Sequence, residues 1–67
     1  MGLLKASKEV RRLRVEVKGW PQSRLAKEAE VSAQTVRKAE KGLPISEVCL
    51  ARIANALSVN LRDLLDK

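Results

Sequence analysis

Residues 22–41 read QSRLAKEAEVSAQTVRKAEK. Two short helical patterns flank a break at Glu30 and Val31, and Ser32 stands where the N-cap of the second helix belongs. In that second segment Val36 and Ala39 mark one face. Gln34, Arg37, Lys38 and Lys41 recur at i, i+3, i+4 and i+7, so they form a polar stripe on another face. In the first segment Leu25, Ala26 and Ala29 face inward. Helices joined by so short a turn must cross steeply, and they approach closely only where the contact residues are small. Ala26 and Ala29 meet that need, and Leu25, Val31, Val36 and Ala39 close the small core between the two helices. The same packing would serve any helical corner, so function has to be read from the outer face.

Outward from this pair, every segment reads as helix, and the predicted fold class is all-α. A first helix is predicted over residues 6–17, where Ala6, Val10, Leu13 and Val17 are spaced four, three and four apart. Gly19, Trp20 and Pro21 end it, because Gly19 tolerates left-handed geometry and a residue before proline is pushed to extended dihedrals. Pro21 suits the first position of a second helix over residues 21–29. The third helix runs from the Ser32 cap to about Lys41, and Gly42, Leu43 and Pro44 stop it. Ser46 caps a fourth helix whose apolar face is Leu50, Ile53, Ala54 and Leu57. Asn60 caps a final half-helix with Leu61, Leu64 and Leu65, and Asp63 sits favourably in its first turn. Strand signals are weak throughout, and residues 1–67 are read as one domain with no repeat or linker.

The composition narrows the function. A 67-residue chain buries a limited share of its surface. Cys49 is the only cysteine, so no disulfide staples the fold, and a lone thiol fits a reducing compartment. Its simplest reading is a small buried helix residue. With no histidine, no phosphate-cradling glycine loop and no metal-ligand cluster, no catalytic residue, metal site or cofactor is expected. The acidic pairs Glu28 with Glu30 and Asp63 with Asp66 read as solvated charges. No apolar leader and no membrane-length run is present, so the chain is expected to be soluble, cytoplasmic and without a membrane partner. The net charge of +6 is unevenly placed. Residues 1–41 hold eleven Lys and Arg against five Glu, and residues 42–67 hold three of each sign. The basic part is therefore the part that carries the paired helices, as a nucleic-acid-binding face requires.

The outer-face chemistry agrees. Gln22 opens the second helix, where backbone N–H groups and the helix dipole favour a phosphate. Gln34 lies in the first turn of the third helix, and its amide can donate and accept at once against the N6/N7 edge of adenine. Arg37 and Lys38 can reach guanine O6/N7 or phosphate, and the Ala33 methyl can touch a thymine methyl. Any one of these would pass as an ordinary solvated residue, but solvation alone has no reason to gather all five on adjoining helix starts.

These residues resemble the helix-turn-helix of the lambda-repressor-like (Cro/repressor, XRE-type) DNA-binding domains. The resemblance runs from about residue 10 to residue 65. It rests on Gln22 with Leu25 and Ala26, Val31 and Ser32, Thr35 and Val36, Glu40 with Lys41 and Gly42, Arg52 to Leu57 (RIANAL), and Val59 to Leu65 (VNLRDLL). It implies a compact bundle of about five short helices, and a sequence-specific transcriptional regulator, repressor by expectation, that acts as a homodimer on a double-stranded DNA operator. No small-molecule ligand is implied. By the same resemblance Ala33, Gln34, Arg37 and Lys38 read bases, while Gln22, Ser23, Thr35, Lys41 and Gly42 hold phosphates. Gln22 is also expected to brace Gln34.

The chain departs from the family pattern in four places. Glu30 stands where glycine is common and must adopt left-handed geometry if the turn keeps its shape. Ala39 is smaller than expected, and Pro21 replaces a capping Ser or Thr. Arg14 lies eight residues before Gln22, one further than expected for the arginine that pairs with Glu40. A one-residue insertion near Gly19 would account for this, and at this point the pairing stays open. The charge-neutral C-terminal part supplies the expected dimer surface, Val48, Val59, Leu61, Leu64 and Leu65, with Leu3 and Leu4 as a weaker alternative. The competing function is a helical protein–protein module, an adaptor or antitoxin-like partner, whose basic face is incidental. RNA binding is disfavoured because Phe and Tyr, the usual stacking residues, are absent.

Overall fold

In the computed structural model, which describes residues 2–65, the order along the chain is β1 (Leu3–Leu4), α1 (Glu9–Arg12) running on into a π-helical segment (Leu13–Lys18), α2 (Gln22–Ala29), α3 (Ala33–Glu40), β2 (Ile45–Ser46), α4 (Glu47–Ala56) and α5 (Leu61–Leu64). The chain is a mostly helical bundle, as predicted. α2 packs against both α3 and α4, and α5 closes on α4.

One core joins these elements. Val10, Leu25, Val36, Leu50, Ile53 and Leu64 are fully buried at its centre, and burial of each such side chain stabilises by about 1.5–3 kcal/mol. Ala26, Ala29, Ala39 and Ala54 are buried between them, and their small size lets α2 cross its neighbours closely. Among the described residues no helix exceeds ten residues, so packing rather than intrinsic propensity holds them.

The helix starts are local and follow the sequence. Ser32 Oγ accepts from Thr35 N–H at 3.1 Å, and Ser46 Oγ accepts from Cys49 N–H at 3.2 Å. At α5 the Asn60 N–H donates to Asp63 Oδ2 at 3.2 Å. Pro21 is the N-cap of α2 rather than its first helical residue, with ψ at 165°. Its carbonyl accepts from Arg24 and Leu25 N–H.

Three helix ends share one device. Val31 N–H returns to Ala26 O and Glu30 N–H to Lys27 O. Leu43 with Gly42 returns likewise to Lys38 and Ala39, and Val59 with Ser58 to Ala54 and Asn55. This is the Schellman arrangement, which requires a left-handed residue. Gly42 supplies it at φ 76°, but Glu30 at φ 59° and Ser58 at φ 61° are non-glycine residues in the same region. Glu30 therefore adopts the left-handed geometry expected of it if the turn keeps its shape.

The first helix departs from its predicted stripe. Ala6 is buried but lies before the helix, bridged to Leu65 in an antiparallel pair. Val10 and Leu13 keep their core places, whereas Val17 is 63% exposed and Arg14 is buried instead. The cause is the π-helical segment. Its wider turn holds one more residue per hydrogen-bonded ring, so the phase of the stripe slips after Leu13. The segment closes with Gly19 at φ 66° and with its N–H on Arg14 O. The extra residue inferred from the Arg14–Gln22 spacing is thus absorbed inside the helix.

A two-stranded antiparallel ribbon, where strand signals were weak, adds to the helical bundle. Leu3 pairs with Ser46 and Leu4 with Ile45, and this ties the N-terminal segment to the start of α4. Leu64 corrects the expected dimer surface, because it is fully buried in the protomer's own core and has no surface to offer a partner. Val48 is 53% exposed, and Val59, Leu61 and Leu65 are half-buried.

Candidate nucleic-acid interface

α3 is fastened by its apolar edge and leaves its polar stripe outside. Val36 and Ala39 are fully buried, whereas Gln34, Arg37, Lys38 and Lys41 are exposed. The Ser32 cap fixes where the helix begins, and the Thr35 hydroxyl lies 2.9 Å from Ser32 Oγ. Ala33 is half-buried at the first position, beside Gln34.

The C-terminal end of α3 is fixed by an ion pair that local sequence does not announce. Arg14 Nε donates to Glu40 Oε2 at 2.5 Å and Nη2 to Glu40 Oε1 at 3.1 Å. The two side chains are only 11% and 6% exposed. Gln22 Nε2 donates to the same Oε1 at 2.9 Å, and Arg14 Nη1 donates to Trp20 O at 2.7 Å. The π-helical segment, the start of α2 and the end of α3 thus meet at one carboxylate. The pairing left open by the sequence is present. The amide nitrogen of Gln22 is committed to Glu40, not to Gln34, so the expected brace runs to the other end of α3.

The turn between α2 and α3 has its own clasp. Arg52 Nη1, from α4, donates to Glu30 O at 3.1 Å, which offsets part of the strain at that left-handed residue. No motif marked Arg52 for this role, because its partner is a backbone carbonyl in a distant segment.

Trp20 is the other feature the sequence reading missed. Its ring is half-buried, with Lys18 Nζ 5.4 Å and the Arg24 guanidinium carbon 5.1 Å from its centroid. Arg24 also bonds Glu28 at 2.8 Å. Trp20 lies before the Pro21 cap and outside any helix, so no helical spacing marked it and Arg24 as neighbours. Away from this surface, Arg12 donates two 2.6 Å hydrogen bonds to Glu9. These bonds hold the Glu9 carboxyl below its usual range and raise Arg12.

Among the described residues no cluster of His, Cys, Asp or Glu could hold a metal ion, and no helix is long and apolar enough to cross a membrane. Ser23 is exposed at the start of α2, Gly42 is half-buried after α3, and Lys41 caps α3. Gln22, Ser23, Gln34, Arg37, Lys38 and Lys41 therefore belong to the two helices, or their caps, that the Arg14–Glu40 pair and the Arg52 clasp hold together.

Residues 10–64 match the protein-family model described as helix-turn-helix. The chain belongs to the Cro/C1-type, XRE-like helix-turn-helix family. Searches of curated proteins and of solved structures gave no match. The helix-turn-helix match runs from the second residue of α1 to the end of α5 and leaves β1 outside it. As a helix-turn-helix domain, the chain is a DNA-binding regulator.

Proposed function

We propose that this helix-turn-helix domain is a transcriptional repressor that inserts α3 into the major groove of a specific operator and acts as a homodimer. Ala33, Gln34, Arg37 and Lys38 read base edges, and Gln22, Ser23, Thr35, Lys41 and Gly42 contact phosphates. The observation that carries this reading is the exposure of an amide, a guanidinium and an ammonium group along one side of α3 while Val36 and Ala39 lock the opposite side. A groove reader needs this pairing of chemistry with rigidity, because donors and acceptors must meet base edges without first being ordered.

The dimer follows from size. One short helix reads too few base pairs to single out a site in a genome, and two copies spaced one DNA turn apart, about 34 Å, overcome that limit. Val48, Val59, Leu61 and Leu65 supply the interface. Selection of bound sequences from random duplexes is the test. Recovery of a two-fold-related consensus is the expected result, and a pool that stays random at physiological salt would overturn the reading.

A further inference from the structure

Trp20 is the only aromatic residue in the chain, and its surroundings exceed what a packing role requires. Its backbone is gripped twice by Arg14, with Trp20 N–H on Arg14 O at 3.0 Å and Arg14 Nη1 on Trp20 O at 2.7 Å. Two cations converge on its ring, Lys18 at 5.4 Å and Arg24 at 5.1 Å from the centroid. A half-buried indole explains itself by packing, but packing does not call for two positive charges gathered on it. The ring's negative face attracts each of them, yet the two repel one another, and an added anion would relieve that repulsion.

Glu28 answers only part of it. It holds Arg24 Nε at 2.8 Å in an exposed pair, and such pairs are weak and readily shared. The terminal guanidinium nitrogens add further donors. The cations lie 5.4 and 5.1 Å from one centroid, so they sit close enough together to face one short stretch of a single strand's backbone. The bracket is also joined to the reading helix. Trp20 O binds Arg14, Arg14 binds Glu40, and Glu40 precedes Lys41 at the end of α3.

We infer that Lys18 and Arg24, held on Trp20, grip the sugar–phosphate backbone of the bound duplex beside the groove that α3 enters. They contact no base. The inference rests on the duplex-reading role proposed above and adds to it a clamp that strengthens binding to every sequence alike.

Trp20 makes the test direct, because all tryptophan emission comes from it. The parent chain is titrated with the selected duplex, with binding followed by anisotropy of labelled DNA and Trp20 followed by acrylamide quenching. Quenching should fall at least twofold on binding. Lys18→Met and Arg24→Met should each weaken binding roughly three- to tenfold on selected and unrelated duplexes alike, and each should lower the salt slope by about one. Trp20→Leu should lose affinity similarly while keeping a cooperative melt, and Trp20→Phe, which keeps a ring face, should lose less. Unchanged quenching together with unchanged affinity and salt slope in both Met variants would overturn the clamp. Lys38→Ala would still lose discrimination in that case, and the groove-reading role would stand. Tighter binding to single strands than to duplex would also overturn it, in favour of base stacking on the indole. A parent chain that binds no duplex would remove both proposals.

Discussion

Arg14 and Glu40, 26 positions apart, are joined by two hydrogen bonds of 2.5 and 3.1 Å inside a nearly closed pocket. The carboxylate also receives Gln22, so three segments depend on it. Removing one partner strands the other charge. Arg14→Met should cost about 3–5 kcal/mol, a large share of the stability of so short a chain. Replacing both, as Arg14→Met with Glu40→Leu, should recover most of that loss. Urea denaturation of the two variants checks this, and a double variant no better than the single one would show that Glu40 is not left unpaired in Arg14→Met.

The π-helical segment makes a second prediction. Deleting exposed Val17 should let the stretch close as ordinary α-helix and keep Arg14 opposite Glu40, with stability changed by no more than about 0.5 kcal/mol. A deletion inside a regular α-helix would instead turn every later side chain by about 100°. Thermal unfolding followed by circular dichroism measures the difference. An unfolded Val17 deletion would show that the extra residue is needed.

Glu30 adopts φ 59° in the turn, where a side chain costs about 1–2 kcal/mol. Glu30→Gly should raise stability by about 0.5–1 kcal/mol, because glycine's added freedom in the unfolded chain takes back part of the relief. Gly42→Ala is the counterpart. A Cβ there meets nothing within 4 Å, so any loss of about 1 kcal/mol is purely backbone strain. Denaturation midpoints at constant slope decide both. A destabilised Glu30→Gly variant would mean that the side chain, not the backbone, matters at this turn.

On the proposed interface, Gln34→Ala and Lys38→Ala should each cost about 1–3 kcal/mol on the selected duplex and much less on unrelated DNA. Gln22→Ala should weaken binding to both kinds of DNA equally, as a phosphate contact does. It should also lower stability by about 1 kcal/mol, because its amide supports Glu40. Equal losses on both kinds of DNA for Gln34→Ala would assign that side chain to phosphates.

The homodimer is tested by sedimentation with and without the selected duplex. Two chains per duplex are expected, and Val48→Asp should reduce this to one without lowering the melting temperature, since Val48 is half exposed. A one-to-one complex on a site lacking two-fold symmetry would refute the dimer.

Features that one or two turns of chain can specify were legible in the sequence. The Ser32 and Ser46 caps, the Gly42 stop, the Leu50–Ile53–Ala54–Leu57 face and the exposed stripe of α3 all follow from periodicity and terminal hydrogen bonding. Glu30's left-handed geometry was expected only through the family resemblance, which places glycine at that turn position, and the φ of 59° agrees. Tertiary structure decided the rest. A regular stripe placed Val17 inside, but the buried Arg14–Glu40 pair and the π turn moved it out. Some of the C-terminal leucines had to serve the protomer's own core, and the structure assigns Leu64 to it, because an apolar stripe says which face is buried but not what buries it. The β1–β2 ribbon is too short to show any period. The Arg52 clasp joins residues that become neighbours only after the helices have packed, and the cations meet on Trp20 through the turn at Gly19 and Pro21, which no periodic pattern covers.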